Sequence, residues 1–160
     1  MANRILVSAE ENFSGLSWIN KVESFALKVL EKLNLDGEEI SVLFCGDSFI
    51  QKLNADYRNI NSPTDVLSFE NGSEYTDEQG NSWLEAGDIA ISLETLPKNA
   101  AYFEVDEDEE LKRLIIHGIL HLNGYDHGEE HVEKGKEPEC EMLKIQKNLM
   151  QEFCSEHILR

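Results

Sequence analysis

Apolar residues change their period several times along this chain, and each change marks an element. Residues 4–9, Arg-Ile-Leu-Val-Ser-Ala, form a short apolar run of strand length. From Ser17 the step lengthens: Trp18, Ile19, Val22, Phe25, Ala26, Val29, Leu30 and Leu33 recur every three or four residues, predicting a helix with Ser17 as N-cap and Asp36-Gly37 at its end. Ile40 to Cys45 is a compact apolar run bounded by Gly46, predicting a buried strand, and Asp47 or Ser48 then caps a second helix carrying Phe49, Ile50, Leu53 and Tyr57. Residues 58–69 pass from loop into strand. Asn71-Gly72 predicts a turn, the polar stretch through Gly80 a long hairpin loop, and Gly87-Asp88-Ile89-Ala90-Ile91-Ser92 a returning strand.

The rest is helical. Pro97 opens a short helix through Tyr102 and Phe103, and the acidic run Glu104 to Glu110 begins a central helix, where the dipole favours negative charge. Residues 111–123 are apolar on almost every side, the mark of a buried helix. A polar stretch from Gly128 to Lys136 follows, and Pro138 sits early in a last helix striped with Met142, Ile145, Leu149, Met150 and Phe153. Strand and helix alternate, then helices close the chain. That order predicts an α/β or α+β fold: a single mixed sheet of about four strands, helices around it, and one domain over residues 1–160.

Within the buried helix the chemistry is concentrated in His117-Gly-Ile-Leu-His121-Leu-Asn-Gly124-Tyr-Asp-His127. Histidines at i and i+4 share one helix face and can chelate one ion. A continued helix would carry His127 to the far side, since each residue turns the axis about 100°. Gly124 supplies the stop, taking a left-handed conformation at little steric cost, and lets the chain double back so that His127 joins the pair. Three neutral nitrogens with a fourth position open form the catalytic zinc pattern, whereas structural zinc sites close with four protein ligands. Zinc is the first choice of metal, with nickel or another divalent ion as the alternative. His131 would close the site if it joined. Gly118 costs about 1 kcal/mol against alanine in a helix interior, an expense that leaves room beside His117 for a substrate, a water or another backbone.

Composition adds limits. The net charge is −18, from 14 basic against 32 acidic residues, which opposes a broad grip on a polyanion unless a local basic or metal-centred cleft overrides the global field or a partner delivers the substrate. No apolar run approaches a membrane span, and Met1-Ala-Asn-Arg-Ile-Leu lacks a signal-peptide core, so no membrane and a cytoplasmic location are expected. Cys45, Cys140 and Cys154 are widely spaced and read as reduced thiols.

The histidine stretch is similar to the metzincin pattern H-E-x-x-H-x-x-G-x-x-H, but Gly118 stands where those peptidases carry their general base. It more closely resembles the H-G-x-L-H-L-x-G-Y-D-H signature of the YbeY family of metal-dependent endoribonucleases. Tyr57-Arg58 with Pro63-Thr-Asp-Val-Leu-Ser-Phe69 resembles that family's second signature, and Gly87-Asp-Ile-Ala-Ile-Ser92 a third, weaker one. The resemblance implies a central helix bearing the first two histidines on a mostly parallel sheet. It also implies Arg58 in the active-site cleft, single-stranded RNA as substrate, the ribosome or small-subunit proteins as partners, no DNA, and a role in 3′-end maturation of small-subunit ribosomal RNA and in ribosome quality control. On the residues alone Arg58 has two readings, a cap on the last carbonyls of the second helix or a bidentate phosphate clamp. Asp65 and Asp88 likewise either orient an imidazole or merely end a strand. Two rival functions stand beside the nuclease: a metallopeptidase with an unrecognised base, and a non-enzymatic, ribosome-associated module stapled by metal.

Overall fold

A computed structural model describes residues 2–128, 132, 133, 135 and 137–159. Four strands make one sheet in the order β1-β2-β4-β3: β1 (Arg4–Ala9), β2 (Glu38–Cys45), β3 (Val66–Thr76) and β4 (Ser82–Ser92). β1 runs parallel to β2 and β2 to β4, while β3 returns antiparallel along β4. The fold is thus the expected mixed α/β sheet, parallel except at one edge. Among the described residues no helix is long and apolar enough to cross a membrane.

Side-chain alternation assigns the two faces. Ile40, Val42, Phe44, Ile89 and Ile91 point to one side and meet α1 (Ile19–Lys32), α4 (Glu107–Leu122) and α5 (Glu141–Glu152) in the main core. Cys45, Leu67 and Ala90 point to the other and pack beneath Ile50 of α2 (Asp47–Arg58). α3 (Leu96–Phe103) leads into α4. Leu111, Leu114, Ile115, Ile116, Ile119 and Leu120 of α4 are all fully buried, which makes this helix the axis of the molecule.

Three expectations need correction. α1 begins at Ile19 with Trp18 in the cap position and no side-chain cap, so Ser17 does not serve. α5 begins at Glu141, three residues past Pro138. Asn71-Gly72 is not the hairpin turn: the β3–β4 register shifts between Glu70 and Ser73, a bulge, and pairing continues to Thr76 opposite Ser82. The reversal lies at Asp77, whose Oδ1 accepts the Gln79 and Asn81 amides and whose Oδ2 accepts Trp83 Nε1. One side chain thereby holds a turn that its sequence advertises less than Asn-Gly does.

Candidate metal centre and cleft

α4 owes its start to the acidic run. Asp106 caps it by accepting the Glu109 amide, and four acids fill the first turn. Sixteen residues later it stops as its sequence requires: Gly124 takes φ +87° and the Tyr125 amide donates back to the Leu120 carbonyl. The chain turns, and His127 returns to the face already carrying His117 and His121. Ring centroids lie 4.6 Å apart for His117–His121, 5.3 Å for His117–His127 and 5.2 Å for His121–His127. One nitrogen from each ring falls within 4.8 Å of the others, and the two Nε2 atoms on α4 are 3.1 Å apart.

That donor set fits a divalent ion. His117 Nδ1 donates to Gln146 Oε1 at 2.8 Å, which fixes the tautomer and leaves Nε2 as a lone pair facing the other imidazoles. Burial pushes the His117 imidazole down to about 4, against the opposing pull of the Gln146 bond. His121 is lowered too, first by burial and then by His127 beside it. Both rings are therefore neutral at physiological pH, the form that ligates. A divalent cation would be held where one nitrogen from each of the three imidazoles comes together. His131, the candidate fourth ligand, lies outside the described residues.

The triad opens into a cleft of about 850 Å³ that is also lined by Arg58, Asp65, Asn99, Tyr102, Phe103 and Arg113. Arg58 caps no carbonyl of α2. Asn59, left-handed at φ +60°, ends that helix, and the Arg58 guanidinium instead donates to the Ser68 carbonyl of β3 at 2.7 Å and lies 5.0 Å from the Phe69 ring centre. Asp65 lies in the cleft but orients no imidazole, since it accepts the Val66 amide and Asn99 Nδ2 and sits 3.6 Å from Arg113. Asp88 is exposed on β4 opposite Phe69, a plain strand position. Gly118 leaves room for neither substrate nor water nor another backbone. A Cβ there would meet three atoms of the Ile89 side chain at 2.8–3.0 Å, so the missing methyl lets α4 settle onto β4.

Two further residues bear on the site, Gln146 behind His117 and Arg113 in the cleft lining, and each has a signal in the sequence. Gln146 falls in register with the α5 stripe between Met142 and Leu149, a polar residue where the pattern calls for an apolar one, and it is 3% exposed. Arg113 stands four residues before His117 and hence on the histidine face. It forks onto buried Glu110, Nε at 2.8 Å from Oε1 and the terminal nitrogen at 2.6 Å from Oε2, so much of its charge is already neutralised.

Known proteins bear on this arrangement directly. The family model described as Endoribonuclease YbeY matches residues 7–154. A Treponema denticola protein named Endoribonuclease YbeY is 52% identical over 160 residues, covering 100% of this chain and 99% of its own. One of the same name from Treponema pallidum is 44% identical across 95% of this chain and 91% of its own. The solution structure of a Thermotoga maritima protein superposes with a TM-score of 0.62 at 28% identity, covering 95% of this chain and 90% of that one. Near-complete coverage at such identity, on a chain whose three signature histidines converge on one point, leaves one assignment: the chain belongs to the YbeY family.

Proposed function

We propose that this chain is a metal-dependent endoribonuclease that cuts single-stranded RNA, acting as one cytoplasmic domain in 3′-end maturation of small-subunit ribosomal RNA and in ribosome quality control. The observation that carries the reading is the convergence of three imidazole nitrogens within 4.8 Å at the cleft. His117, His121 and His127 are the residues that would hold the ion, zinc in the first instance and nickel or another divalent metal as the alternative. Such an ion supplies Lewis acidity toward a phosphodiester. Gln146 keeps His117 in the ligating tautomer. Arg58, held against β3 by the Ser68 carbonyl, is positioned on the cleft wall to bind a phosphate oxygen and offset the charge that grows on it during cleavage. The ribosome, through its RNA or its small-subunit proteins, is the partner that this role requires.

Gly118 argues against the peptidase reading. The position where a metzincin carries its base is packed against Ile89 and has no side chain to offer. The metal-stapled module fares no better, because the main core is assembled from α1, α4, α5 and the sheet without help from the triad.

The test is cleavage of an end-labelled single-stranded RNA by wild type, His121→Ala and Arg58→Ala, each with chelator and with restored zinc. Wild type should cut only with metal, and chelation should abolish cutting while far-ultraviolet circular dichroism stays unchanged. His121→Ala should fail in both states. Arg58→Ala should bind zinc normally and cleave about 10²–10³-fold more slowly, the usual cost of losing one transition-state donor. Equal cleavage by wild type and His121→Ala would refute the nuclease assignment.

A further inference from the structure

Two units of the same three parts flank the cleft, and each puts its arginine and its phenylalanine in the lining. On the α2–β3 wall, Tyr57 stands edge-on to Phe69 with centroids 5.4 Å apart, and the Arg58 guanidinium lies 5.0 Å from that Phe69 ring centre. On the α3–α4 wall, Tyr102 stands edge-on to Phe103 at 5.0 Å, and Arg113 lies 5.1 Å from the Phe103 ring centre. In each unit a partly buried phenylalanine anchors one tyrosine and one arginine. The tyrosines themselves are left in solvent, Tyr57 64% and Tyr102 66% exposed, and they are the aromatic members of the exposed large hydrophobic side chains among the described residues.

A tyrosine so placed adds little to folding, because its ring buries little area. We infer that Tyr102 is the platform of a nucleobase subsite, on which an unpaired base of the RNA stacks while its backbone crosses the histidine triad. The inference rests on the nuclease reading and deepens it. Three observations favour a base as the occupant. Tyr102 lines the same cleft as the triad and Arg58, so a strand whose phosphate reaches those groups has a base within reach of the α3 wall. The Phe103 ring packs edge-on against Tyr102, a contact that narrows the orientations open to it and so lowers the entropy lost when a second ring packs on it. The net charge of −18, and the commitment of Arg113 to Glu110, leave electrostatics too weak to supply affinity by themselves. Stacking needs no net charge and accepts any base, because every base has a π-face.

The subsite also explains a preference for single strands. A base in a duplex has both faces occupied by its neighbours and must unstack before it can reach Tyr102, whereas a loose strand presents it freely.

Zinc-loaded wild type, Tyr102→Ala, Tyr102→Leu and Tyr102→Phe separate the alternatives. Initial rates on a single-stranded RNA give KM and kcat, and stopped-flow fluorescence of the same RNA carrying 2-aminopurine beside the cleavage site reports stacking before cleavage. Tyr102→Ala should raise KM by about 5- to 150-fold, the range for one lost stack, keep kcat within about threefold, and lose the fluorescence quench. Tyr102→Phe should restore both readouts. Tyr102→Leu should restore neither, since it is apolar without a π-face. An unchanged KM and quench in Tyr102→Ala, or full rescue by leucine, overturns the subsite while leaving the nuclease reading intact. Failure of wild type to bind or cut RNA overturns both.

Discussion

Gly118→Ala is the substitution on which helix propensity and packing disagree about the sign. On propensity alone, alanine inside α4 should stabilise by about 1 kcal/mol. Packing opposes it. The added Cβ would stand 2.8 Å from Ile89 Cδ1, 2.9 Å from Cγ2 and 3.0 Å from Cγ1, with both residues buried. Ile89 is β-branched, so its χ1 is stiff, and it lies on β4 in the interior of the sheet. The contacts are relieved only if α4 rises from the sheet by several tenths of an ångström. Overpacking of this kind costs about 1–3 kcal/mol, and three short contacts on one stiff side chain place it in the upper half of that range. The expected net effect is a destabilisation of about 1–2 kcal/mol, which lowers Tm by roughly 2–8 °C in a chain of this length.

The background decides the sign. Ile89→Ala removes all three contacting atoms at a cost of about 2–5 kcal/mol, and in that variant the alanine at 118 is relieved of those short contacts and should stabilise by about 1 kcal/mol. Urea denaturation of wild type, both single variants and the double variant, all in chelator so that metal linkage drops out, gives the cycle. The coupling should be about 2–3 kcal/mol. A stabilising Gly118→Ala in the wild-type background, or the same effect in both backgrounds, would refute the packing argument.

Gln146→Leu removes the acceptor that fixes the His117 tautomer and should weaken zinc binding by about 10- to 100-fold, read by competition with a chromophoric chelator; unchanged affinity would mean that Gln146 serves packing alone. Asp108 accepts the Ile158 and Leu159 amides and faces His157 Nδ1 at 2.9 Å. Burial raises its carboxyl, but the Leu159, His157 and Ile158 bonds outweigh that and hold it below the ordinary carboxylate range. A depressed folded value contributes stability at neutral pH that is lost as pH falls through it. Asp108→Asn should therefore be about 1–3 kcal/mol less stable at pH 7, with the gap to wild type narrowing toward pH 3 in urea titrations. Binding of single-stranded RNA should show a shallow salt dependence: one or two phosphates neutralised by Arg58 and Arg113 give a log–log slope of about −0.7 to −1.4, hence a loss of only about three- to sevenfold between 50 and 200 mM salt. A slope beyond about −3 would point to a broader basic surface than the cleft provides.

What could be read from the sequence follows from how local each cause is. The helices were legible because a face that must be buried repeats every three or four residues. The histidine site was legible because its geometry is set within eleven residues, two on one helix face and a third returned by Gly124. The hairpin was misplaced because Asn71-Gly72 carries a strong local turn signal, yet the cross-strand pairing of Tyr75 with Trp83, beyond it, carries the ladder through and reduces that signal to a bulge. Gly118 was misassigned for a similar reason, since the atom that requires it belongs to Ile89 on another element. Arg58 lines the same cleft as the triad, but neither of its two readings anticipated the Ser68 carbonyl, which lies ten residues on across a loop.

The net charge is the property that composition states most plainly, and its weight at this site depends on where the acids sit. The acids of α4 crowd its first turn, Glu107 to Glu110, while His121 stands near the other end of the same helix. At 1.5 Å per residue the separation from Glu107 is about 21 Å, more than two Debye lengths at physiological ionic strength. Solvent screening thus weakens the field of exposed Glu107 at the triad, while buried Asp108 spends its charge on the Ile158 and Leu159 amides. The acid nearest the cleft in that run, Glu110, is tied to Arg113 and adds little field of its own. In the proposed nuclease, an RNA strand approaching this chain is repelled at long range and would be held at short range by an ion at the triad, by Arg58 and by Tyr102. A surface of that kind favours strands brought to it over the bulk of RNA in solution, so the proposed role predicts a partner that delivers the substrate.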